Sequence, residues 1–247
     1  MFLRRTLVLI PALNEAASIT ETVRAWQLAG ACRVRVVDNA SVDSTAPQAT
    51  SAGAEVISEP RRGYGAAAWR GLQDWPSDCE WVLFSSADGS DRLSPSDLPA
   101  WQQAVDAGAD LVVGDRTALD SSRRHLKLTQ RFGNWLCVTA IAAGWGRRFR
   151  DMGSLRLVRR SALELMQLQD RGFGWNVEMQ VRALELGIRV AEVPVDYYPR
   201  SAGESKISGS FAGTFRAGCG IVRMLIYLYR LKRAHHRSAA ISSALPA

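Results

Sequence analysis

The stretch that decides the fold is WVLFSSADGSD, residues 81–91. Its apolar first part predicts a buried strand, and its polar second part predicts a loop with acidic groups at the carboxyl end of that strand. Proteins that alternate strands and helices bind ligands at this edge of their sheets. Asp88 stands beside Gly89, a residue that lets the backbone approach a ligand closely. The stretch therefore suits a divalent cation that bridges the phosphates of a nucleotide.

Strand-like runs alternate with helical patterns along the chain, which predicts an α/β fold. The runs fall at residues 7–10, 34–37, 55–57, 81–84 and 111–113. Because these runs are almost continuously apolar, we expect a mostly parallel sheet with helices on both faces. Helix start signals stand at Asn14 and Ser18, and residues 161–166 predict another short helix.

Length and composition indicate one globular domain. The chain has 247 residues, of which 47% are hydrophobic and 22% are charged, so disordered and fibrous classes are excluded. The net charge of +7 favours anionic partners such as nucleotides, phosphorylated substrates, nucleic acid or an anionic membrane, although a solvated basic surface explains it as well. The chain has no RNP-like sequence, zinc-finger spacing or basic-aromatic interleaving, which argues against nucleic acid.

Cysteine usage and hydropathy predict a cytoplasmic protein. The cysteines form no C-x-x-C pair and have no zinc-like spacing with the histidines, which fits a reducing cytosol. They are Cys32, Cys79, Cys137 and Cys219. The apolar start of the chain imitates a signal peptide, but Asn14 and Glu15 interrupt it, and we interpret it as the first strand. No run reaches the roughly 18 uncharged apolar residues of a transmembrane helix.

Two further segments carry groups suited to a nucleotide. Asp38 stands at the tip of the second predicted strand, where its carboxylate can accept hydrogen bonds from a nucleobase or ribose. The alternative is that Asp38 and Asp43 only cap turns. Residues 60–68 read PRRGYGAAA, and their glycines and arginines can cradle a phosphate or a base edge before a helix. A nicotinamide enzyme is rejected, because PALNE at 11–15 replaces the G-x-G-x-x-G such enzymes need there.

Taken in order, these segments resemble the family 2 glycosyltransferases of the GT-A fold. The resemblance is strongest to the branch around dolichyl-phosphate mannose synthase and other polyprenyl-phosphate sugar transferases, and it spans residues 6–209. Its main motifs are IPALNE (10–15), VDNASVDST (37–45), GYG (63–65), ADGS (87–90) and GDR (114–116). Later segments that resemble the family are DMGSLR (151–156), FGWNVE (173–178), EVPV (192–195) and RSAGESK (200–206).

The resemblance implies a single GT-A domain over residues 1–209 that transfers a sugar, with inversion, from a nucleotide-diphospho-sugar to a polyprenyl phosphate. It implies that Asp38 meets the nucleobase and that Asp88 binds Mg²⁺ or Mn²⁺ on the diphosphate, where the metal neutralises the leaving group. The donor-binding residues that it implies are Pro11, Asn14, Glu15, Asp38, Arg62, Gly65, Ser86 and Arg116.

The chain departs from the family at one acidic position. The family's D-x-D motif places an aspartate two residues before Asp88, where this chain has Ser86. We expect a weakened metal site rather than a dead one, with Asp91 as a compensating ligand. The alternative is a degenerate protein that binds a nucleotide sugar without transferring it.

The acceptor is predicted from proton chemistry. A phosphate monoester is largely ionised at pH 7 and attacks without a strong base, whereas a hydroxyl needs one. The loop at 200–206, together with Arg116 and Arg131, resembles the family's cationic phosphate sites. Asp151 and Glu178 are the bases available to a hydroxyl, although Glu178 also fits an ordinary helix-start carboxylate. The predicted catalytic residues are Asp88, Asp151, Glu178, Arg200 and Lys206. The alternative activity is a soluble glycosyltransferase acting on a small-molecule or glycan hydroxyl.

The C-terminal part predicts a basic amphipathic helix at residues 210–233, followed by a mobile tail at 234–247. Its apolar stripe consists of Phe211, Phe215, Cys219, Val222, Ile226 and Tyr229, and we expect Arg216, Arg223 and Arg230 on the opposite face. Such a helix can lie in the interface of an anionic membrane and deliver a lipid phosphate to the site. The alternative is that the stripe packs on the domain or on a second subunit in a homo-oligomer. We expect a peripheral location on the cytoplasmic face of the membrane.

Overall fold

The computed structural model describes residues 1–91, 93–199 and 211–244, and within the last range it describes the side chains of residues 217–234. The strands are β1 (Thr6–Ala12), β2 (Arg33–Asp38), β3 (Glu55–Ser58), β4 (Trp81–Phe84), β5 (Leu111–Asp115), β6 (Arg156–Arg159) and β7 (Val190–Pro194). The helices are α1 (Ile19–Leu28), α2 (Thr45–Ser51), α3 (Tyr64–Gly71), α4 (Leu98–Asp106), α5 (Asp120–Arg123), α6 (Leu128–Trp145), α7 (Arg160–Met166), α8 (Trp175–Glu185) and α9 (Phe211–Ala244). A 3-10 helix, Phe2–Arg5, precedes β1.

The seven strands form one sheet in the order β3-β2-β1-β4-β6-β5-β7. β6 runs antiparallel to its neighbours β4 and β5, and the other neighbouring strands are parallel. The α/β fold with a mostly parallel sheet is confirmed, and the five predicted runs are β1 to β5. The apolar-run pattern did not reveal β6, because its sequence RLVR carries an arginine at each end.

Two hydrophobic cores cover the two faces of the sheet. Successive side chains of a strand point to opposite faces, so Leu83 of β4 joins one core while Val82 and Phe84 join the other. Helices α1, α2 and α4 cover the first face, and α3, α7 and α8 cover the second. β4 is buried along its whole length, as its apolar sequence predicts.

A third cluster joins α6, α8 and α9 outside the second face. Met224, Leu225 and Leu228 of α9 pack there against Val138 and Ile141 of α6. The α6 helix was not predicted from the sequence, and it gives α9 a surface to pack on.

The faces of α9 differ from those predicted. The packed residues are Met224, Leu225 and Leu228, whereas Val222 and Ile226 of the predicted stripe are 41% and 48% exposed. Arg230 does not lie opposite the stripe, since it lines the same surface groove as Val222 and Ile226. The side chain of Arg216 lies outside the part of α9 whose side chains are described. Of the predicted stripe, Tyr229 does contact α6, where its hydroxyl donates to the carbonyl of Ala140 (2.6 Å). The physical reason is that α9 carries two apolar faces, and the positions of α6 and α8 decide which of them is buried.

The C-terminal boundary also differs. The helix was predicted to end at Arg233, but α9 continues to Ala244. Residues 234–244 contain neither glycine nor proline and include four alanines, so nothing in them ends a helix before Pro246. The mobility of the tail stays a prediction. Within the described ranges, no helix combines the length and the apolar character that crossing a bilayer requires.

Replacing Leu83 with alanine tests the position of β4 at the centre of the core. Leu83 is 0% exposed, so truncating its side chain leaves a cavity and should lower the free energy of unfolding by about 2–5 kcal/mol. The matched control is Leu28→Ala, because Leu28 is 89% exposed and its truncation should change stability by less than about 0.5 kcal/mol. Urea unfolding measures both, and equal effects would contradict the central placement of β4.

Candidate functional site

Polar side chains from five strands meet at one edge of the sheet. Because β1, β2, β4 and β5 are parallel, their carboxyl ends share that edge. β6 runs the other way, so the segment that precedes it, residues 151–155, arrives at the same edge. The structure thereby brings together most of the predicted site residues. Arg200 and Lys206 lie outside the described residues.

The loop after β4 holds Asp88 in a fixed orientation. Asp88 Oδ1 accepts hydrogen bonds from Ser86 Oγ (2.6 Å) and from the backbone N–H of Ser90 (3.0 Å). The loop is tied to α1 as well, because Ser18 Oγ donates to the carbonyl of Ala87 (3.0 Å). Ser86, which stands where the family has a second acid, therefore positions the carboxylate of Asp88. Asp88 itself is 8% exposed.

Asp91 lies deeper in the same loop and is 3% exposed. Its Oδ2 accepts from the backbone N–H of Ser86 (2.9 Å) and from Ser154 Oγ (2.6 Å). Burial raises the pKa of Asp91 to about 6, the hydroxyl of Ser154 opposes the rise, and the negative charge of Asp88 adds to it. Two interacting carboxylates in a buried loop are the hard oxygen donors that Mg²⁺ and Mn²⁺ prefer, so the residues present fit a divalent cation.

Asp151 forms a buried ion pair with Arg116. Its two carboxylate oxygens accept from Arg116 Nε (2.7 Å) and Nη2 (2.9 Å), and backbone N–H groups of Arg116 and Met152 also donate to it. Burial by itself raises the pKa of Asp151, but the charge and hydrogen bonds of Arg116 outweigh burial and lower it. The guanidinium of Arg116 also lies over the ring of Tyr197, 5.2 Å from its centre. A carboxylate held in this way is a weak base.

Arg156 fastens the 151–154 segment to α8. It is fully buried, and it donates to the carbonyls of Gly153 (2.8 Å) and Asn176 (2.9 Å) and to Gln180 Oε1 (2.9 Å). Gln180 in turn donates to the carbonyl of Asp151 (3.2 Å). Burial among neutral acceptors lowers the pKa of Arg156 to about 10. The motif resemblance contained Arg156, but no sequence signal pointed to Gln180.

The loops after β1 and β2 are bonded to each other. Asn14 has φ 53°, its N–H donates to Ser41 Oγ (2.9 Å), and its Oδ1 accepts from the N–H of Val42 (2.8 Å). The N–H of Glu15 donates to Thr45 Oγ1 (2.8 Å). Asn14 therefore shapes the wall beside Asp38 through its backbone and amide.

Asp38 ends β2 opposite Ala12 of β1, beside Pro11. Its Oδ1 is buried and has no hydrogen-bond partner among the described residues. The next residue, Asn39, donates to the carbonyls of Glu59 (3.0 Å) and Arg61 (2.8 Å) and accepts from the N–H of Gly63 (2.8 Å). Asn39 thus fixes the loop that carries Arg62, and sequence reasoning did not single it out.

The glycines of the 60–68 segment pack closely against a neighbouring loop. The N–H groups of Gly65 and Ala66 at the start of α3 donate to the carbonyls of Gly172 (2.8 Å) and Arg171 (2.9 Å). A Cβ on Gly65 would lie 2.5 Å from the carbonyl oxygen of Asp170. The prediction that these N–H groups cradle a phosphate is therefore wrong for Gly65 and Ala66, because their N–H groups already donate to a neighbouring loop. Arg62 is exposed, and its guanidinium lies 3.5 Å from the carbonyl of Ala40.

Glu178 supports that neighbouring loop. Its oxygens accept from the backbone N–H groups of Gln169 (3.0 Å) and Asp170 (2.8 Å), and it is 3% exposed. Burial raises the pKa of Glu178. Of the two interpretations of its sequence position, this geometry favours a structural carboxylate, which holds the loop that packs on Gly65.

Comparison with known proteins identifies the family. The family model "Glycosyl transferase family 2" matches residues 7–166, well over half of the chain. The chain belongs to glycosyl transferase family 2. The predicted family resemblance is thereby confirmed, and the matched region includes the loops that carry Asp38, Asp88, Arg116 and Asp151.

Relatives of this family-2 glycosyltransferase differ in how much is known of them. An uncharacterised glycosyltransferase of Mycobacterium tuberculosis is 37% identical over 216 residues, which cover 85% of this chain and 93% of that protein. An undecaprenyl-phosphate mannosyltransferase of Micrococcus luteus is 30% identical over 227 residues, 85% of this chain and 90% of that protein.

A solved structure shares the fold. Glucosyl-3-phosphoglycerate synthase of Mycobacterium tuberculosis, in complex with Mn²⁺, UDP-glucose and phosphoglyceric acid, superimposes with a TM-score of 0.71 at 20% identity. The match covers 92% of this chain and 80% of that one. At this identity, the likeness shows the GT-A-like fold alone.

Replacing Glu178 with glutamine separates a structural role from a catalytic one. The amide leaves one acceptor oxygen for two backbone N–H groups, so the free energy of unfolding should fall by about 1–3 kcal/mol. The transfer rate per folded molecule should stay within about threefold, whereas loss of a general base lowers rates by about 10²–10⁴. Urea unfolding and a donor-turnover assay measure the two effects. The control is Glu164→Gln, at an exposed position of α7. A loss of turnover in Glu178→Gln without loss of stability would contradict the structural role.

Proposed function

We propose that this protein transfers a sugar, with inversion, from a nucleotide-diphospho-sugar to a polyprenyl phosphate at the surface of an anionic membrane. Three features support the proposal. Asp38 has a buried oxygen without a partner among the described residues, and the loop after β4 carries a pair of buried carboxylates. The carboxylates of Asp151 and Glu178, which could serve as the base for a hydroxyl acceptor, already accept hydrogen bonds from other groups of the protein. A relative named for mannosyl transfer to undecaprenyl phosphate supports the acceptor class.

Asp38 supports the donor site. A buried carboxylate oxygen without a partner costs free energy unless a ligand donates to it. The base and ribose of a nucleotide carry such donors, and Asp38 lies at the sheet edge where α/β proteins bind nucleotides. The walls of this pocket are Pro11 and the Asn14–Glu15 loop on one side and Arg62 on the other. The hydrogen bonds that Asn14, Asp38 and Arg62 form with the base select the nucleotide.

Asp88 and Asp91 are the residues that would hold Mg²⁺ or Mn²⁺. When bound, such an ion neutralises the charge that develops on the departing nucleoside diphosphate. The complex of the structural relative with Mn²⁺ and UDP-glucose supports a metal in this fold. Ser86 replaces the missing acid by orienting Asp88 through its hydroxyl and Asp91 through its N–H. An ordered carboxylate pair speaks against the degenerate alternative.

The choice of acceptor rests on one observation: the carboxylates of Asp151 and Glu178 are already engaged by other groups of the protein. Asp151 is engaged by the guanidinium of Arg116, and both oxygens of Glu178 accept backbone hydrogen bonds. Neither is therefore placed to take a proton from a hydroxyl. A phosphate monoester needs no such base, because its oxygen is already ionised and attacks the anomeric carbon as the bond to the diphosphate breaks. Arg200 and Lys206 are proposed to bind this phosphate on the basis of sequence alone.

The surface of α6 and α9 supports delivery of the acceptor from a membrane. Leu128, Phe132, Trp135 and Leu136 lie on one face of α6 and are 79%, 64%, 52% and 38% exposed. This face, which we call the α6 face, adjoins the groove lined by Val222, Ile226 and Arg230. Exposed aromatic and aliphatic side chains beside arginines are typical of helices that lie in the interface of an anionic membrane. Arg131, predicted to bind phosphate, is exposed on α6.

A panel of UDP, GDP, CDP and ADP, each with and without Mn²⁺, tests the donor site by thermal unfolding. One nucleotide should raise the melting temperature by about 5–10 °C at 100 times its Kd, and only with Mn²⁺. Asp88→Ala should abolish this shift, and Asp38→Ala should abolish it for the preferred base. The control is Asp106→Ala, which removes a carboxylate from the exposed end of α4. If no nucleotide raises the melting temperature, the protein is a degenerate one. If the shift survives in Asp88→Ala, the protein binds its nucleotide without the metal.

Sedimentation with vesicles tests the membrane-facing surface. The wild-type protein should pellet with vesicles containing anionic phospholipid, and less so in high salt because screening weakens the attraction of the arginines. The double variant Phe132→Ser, Trp135→Ser should bind at least about tenfold more weakly, since it removes two large apolar anchors. The control is Leu165→Ser, at an exposed position of α7. A wild-type protein that stays in the supernatant would favour the soluble enzyme with a hydroxyl acceptor.

A further inference from the structure

Two cysteines that are distant in the sequence meet at the edge of the sheet opposite the candidate site. Cys32 directly precedes β2, and Cys79 lies just before β4, with β1 between the two strands. The N–H of Cys32 donates to the carbonyl of Leu3 (2.9 Å), which anchors this segment beside the start of β1. The Asp78 carboxylate lies beside both thiols, so three potential metal ligands share one small region.

The ligand atoms of this cluster, which consists of Cys32, Asp78 and Cys79, all lie within 4.8 Å of one another. Cys32 Sγ is 3.7 Å from Asp78 Oδ2, and Cys79 Sγ is 3.9 Å from Asp78 Oδ1. Tetrahedral Zn²⁺ with sulfur at about 2.3 Å and oxygen at about 2.1 Å has ligand–ligand edges of about 3.6–3.8 Å. Shifts of rotamer size therefore convert the observed arrangement into a coordination sphere.

The charges around the cluster balance with a divalent ion in place. Binding releases the proton of each thiol to solvent, which leaves two thiolates and the Asp78 carboxylate. Zn²⁺ together with the guanidinium of Arg33, 3.1 Å from Asp78 Oδ2, neutralises these three negative charges. Arg33 bonds to Oδ2 and leaves Oδ1 facing Cys79 for the metal. Cys79 is buried, whereas Asp78 is exposed, so the cluster has a closed side and a side open to solvent.

We propose that Cys32, Asp78 and Cys79 form a binding site for Zn²⁺ or another thiophilic divalent ion. Two thiolates and one carboxylate favour zinc over magnesium or manganese, because soft sulfur ligands select against those hard ions. A water from the open side completes the tetrahedron. The bound ion joins the starts of β2 and β4 across β1. The site is independent of the proposed function, since it lies at the opposite edge of the sheet and uses none of the donor-site residues.

Titration of reduced, chelator-treated protein with Cd²⁺ tests the site through the ultraviolet absorbance of cadmium–thiolate bonds. We expect one equivalent of Cd²⁺ with two thiolate bonds, displaced by Zn²⁺. Cys32→Ser should weaken binding at least about 100-fold, and Asp78→Asn at least about tenfold. The matched control is Cys219→Ser, which removes an exposed thiol on α9 and should leave the absorbance unchanged. Asp88→Ala should also leave it unchanged, which keeps this site separate from the nucleotide site.

Thermal unfolding with Zn²⁺ gives a second readout that does not depend on cadmium. Zn²⁺ should raise the melting temperature of the wild type and of Cys219→Ser but not of Cys32→Ser, whose melting temperature in chelator should match the wild type because Cys32 is partly exposed. The proposal is overturned if reduced wild-type protein shows no cadmium–thiolate absorbance, if Cys32→Ser retains it, or if Cys219→Ser abolishes it.

Discussion

The reversed direction of β6 is the constraint on which the candidate site depends. In a wholly parallel arrangement, the segment before β6 would enter at the far edge of the sheet. Because β6 is antiparallel to β4 and β5, residues 151–155 instead reach the edge that carries Asp88. Asp151 can then pair with Arg116 after β5, and Ser154 can donate to Asp91 after β4. One change of strand direction thus joins the loops of three strands into one polar network.

Within this network, most buried charges are matched, but one oxygen of Asp38 accepts no hydrogen bond from the described residues. Asp151 is matched by Arg116, and hydroxyl and amide donors orient Asp88 and Asp91. Matched groups cost little free energy and fix the geometry of the loops. The buried Oδ1 of Asp38 has no partner among the described residues, and such an oxygen is maintained against its cost where a ligand binds. Preorganised walls around an open acceptor are what a specific nucleotide pocket requires.

The outer helices link the site to the proposed membrane surface. α9 uses one apolar face to pack on α6 and α8, through residues such as Leu228, and exposes a second with Val222 and Ile226. The aromatic residues of α6 extend this exposed surface beyond the groove. A helix with a single apolar stripe would have buried it against the domain. Two faces allow the same helix to complete the third cluster and to present apolar side chains and arginines outward.

The sequence by itself determined the α/β fold, strands β1 to β5, the family, and the strand ends at which Asp38 and Asp88 lie, because these features depend on local apolar patterns and contiguous motifs. It did not reveal β6, α6 or the face of α9 that packs, because each depends on partners distant in the chain. Gly65 and Glu178 fitted ligand binding and catalysis in sequence, but in the structure both contact the loop at 169–172, since Gly65 packs against it and Glu178 accepts its backbone hydrogen bonds. Cys32 and Cys79 showed no zinc-like spacing, yet they meet because β1 separates their strands by only one place in the sheet. Strand order and direction, which set long-range proximity, were decided only by the tertiary structure.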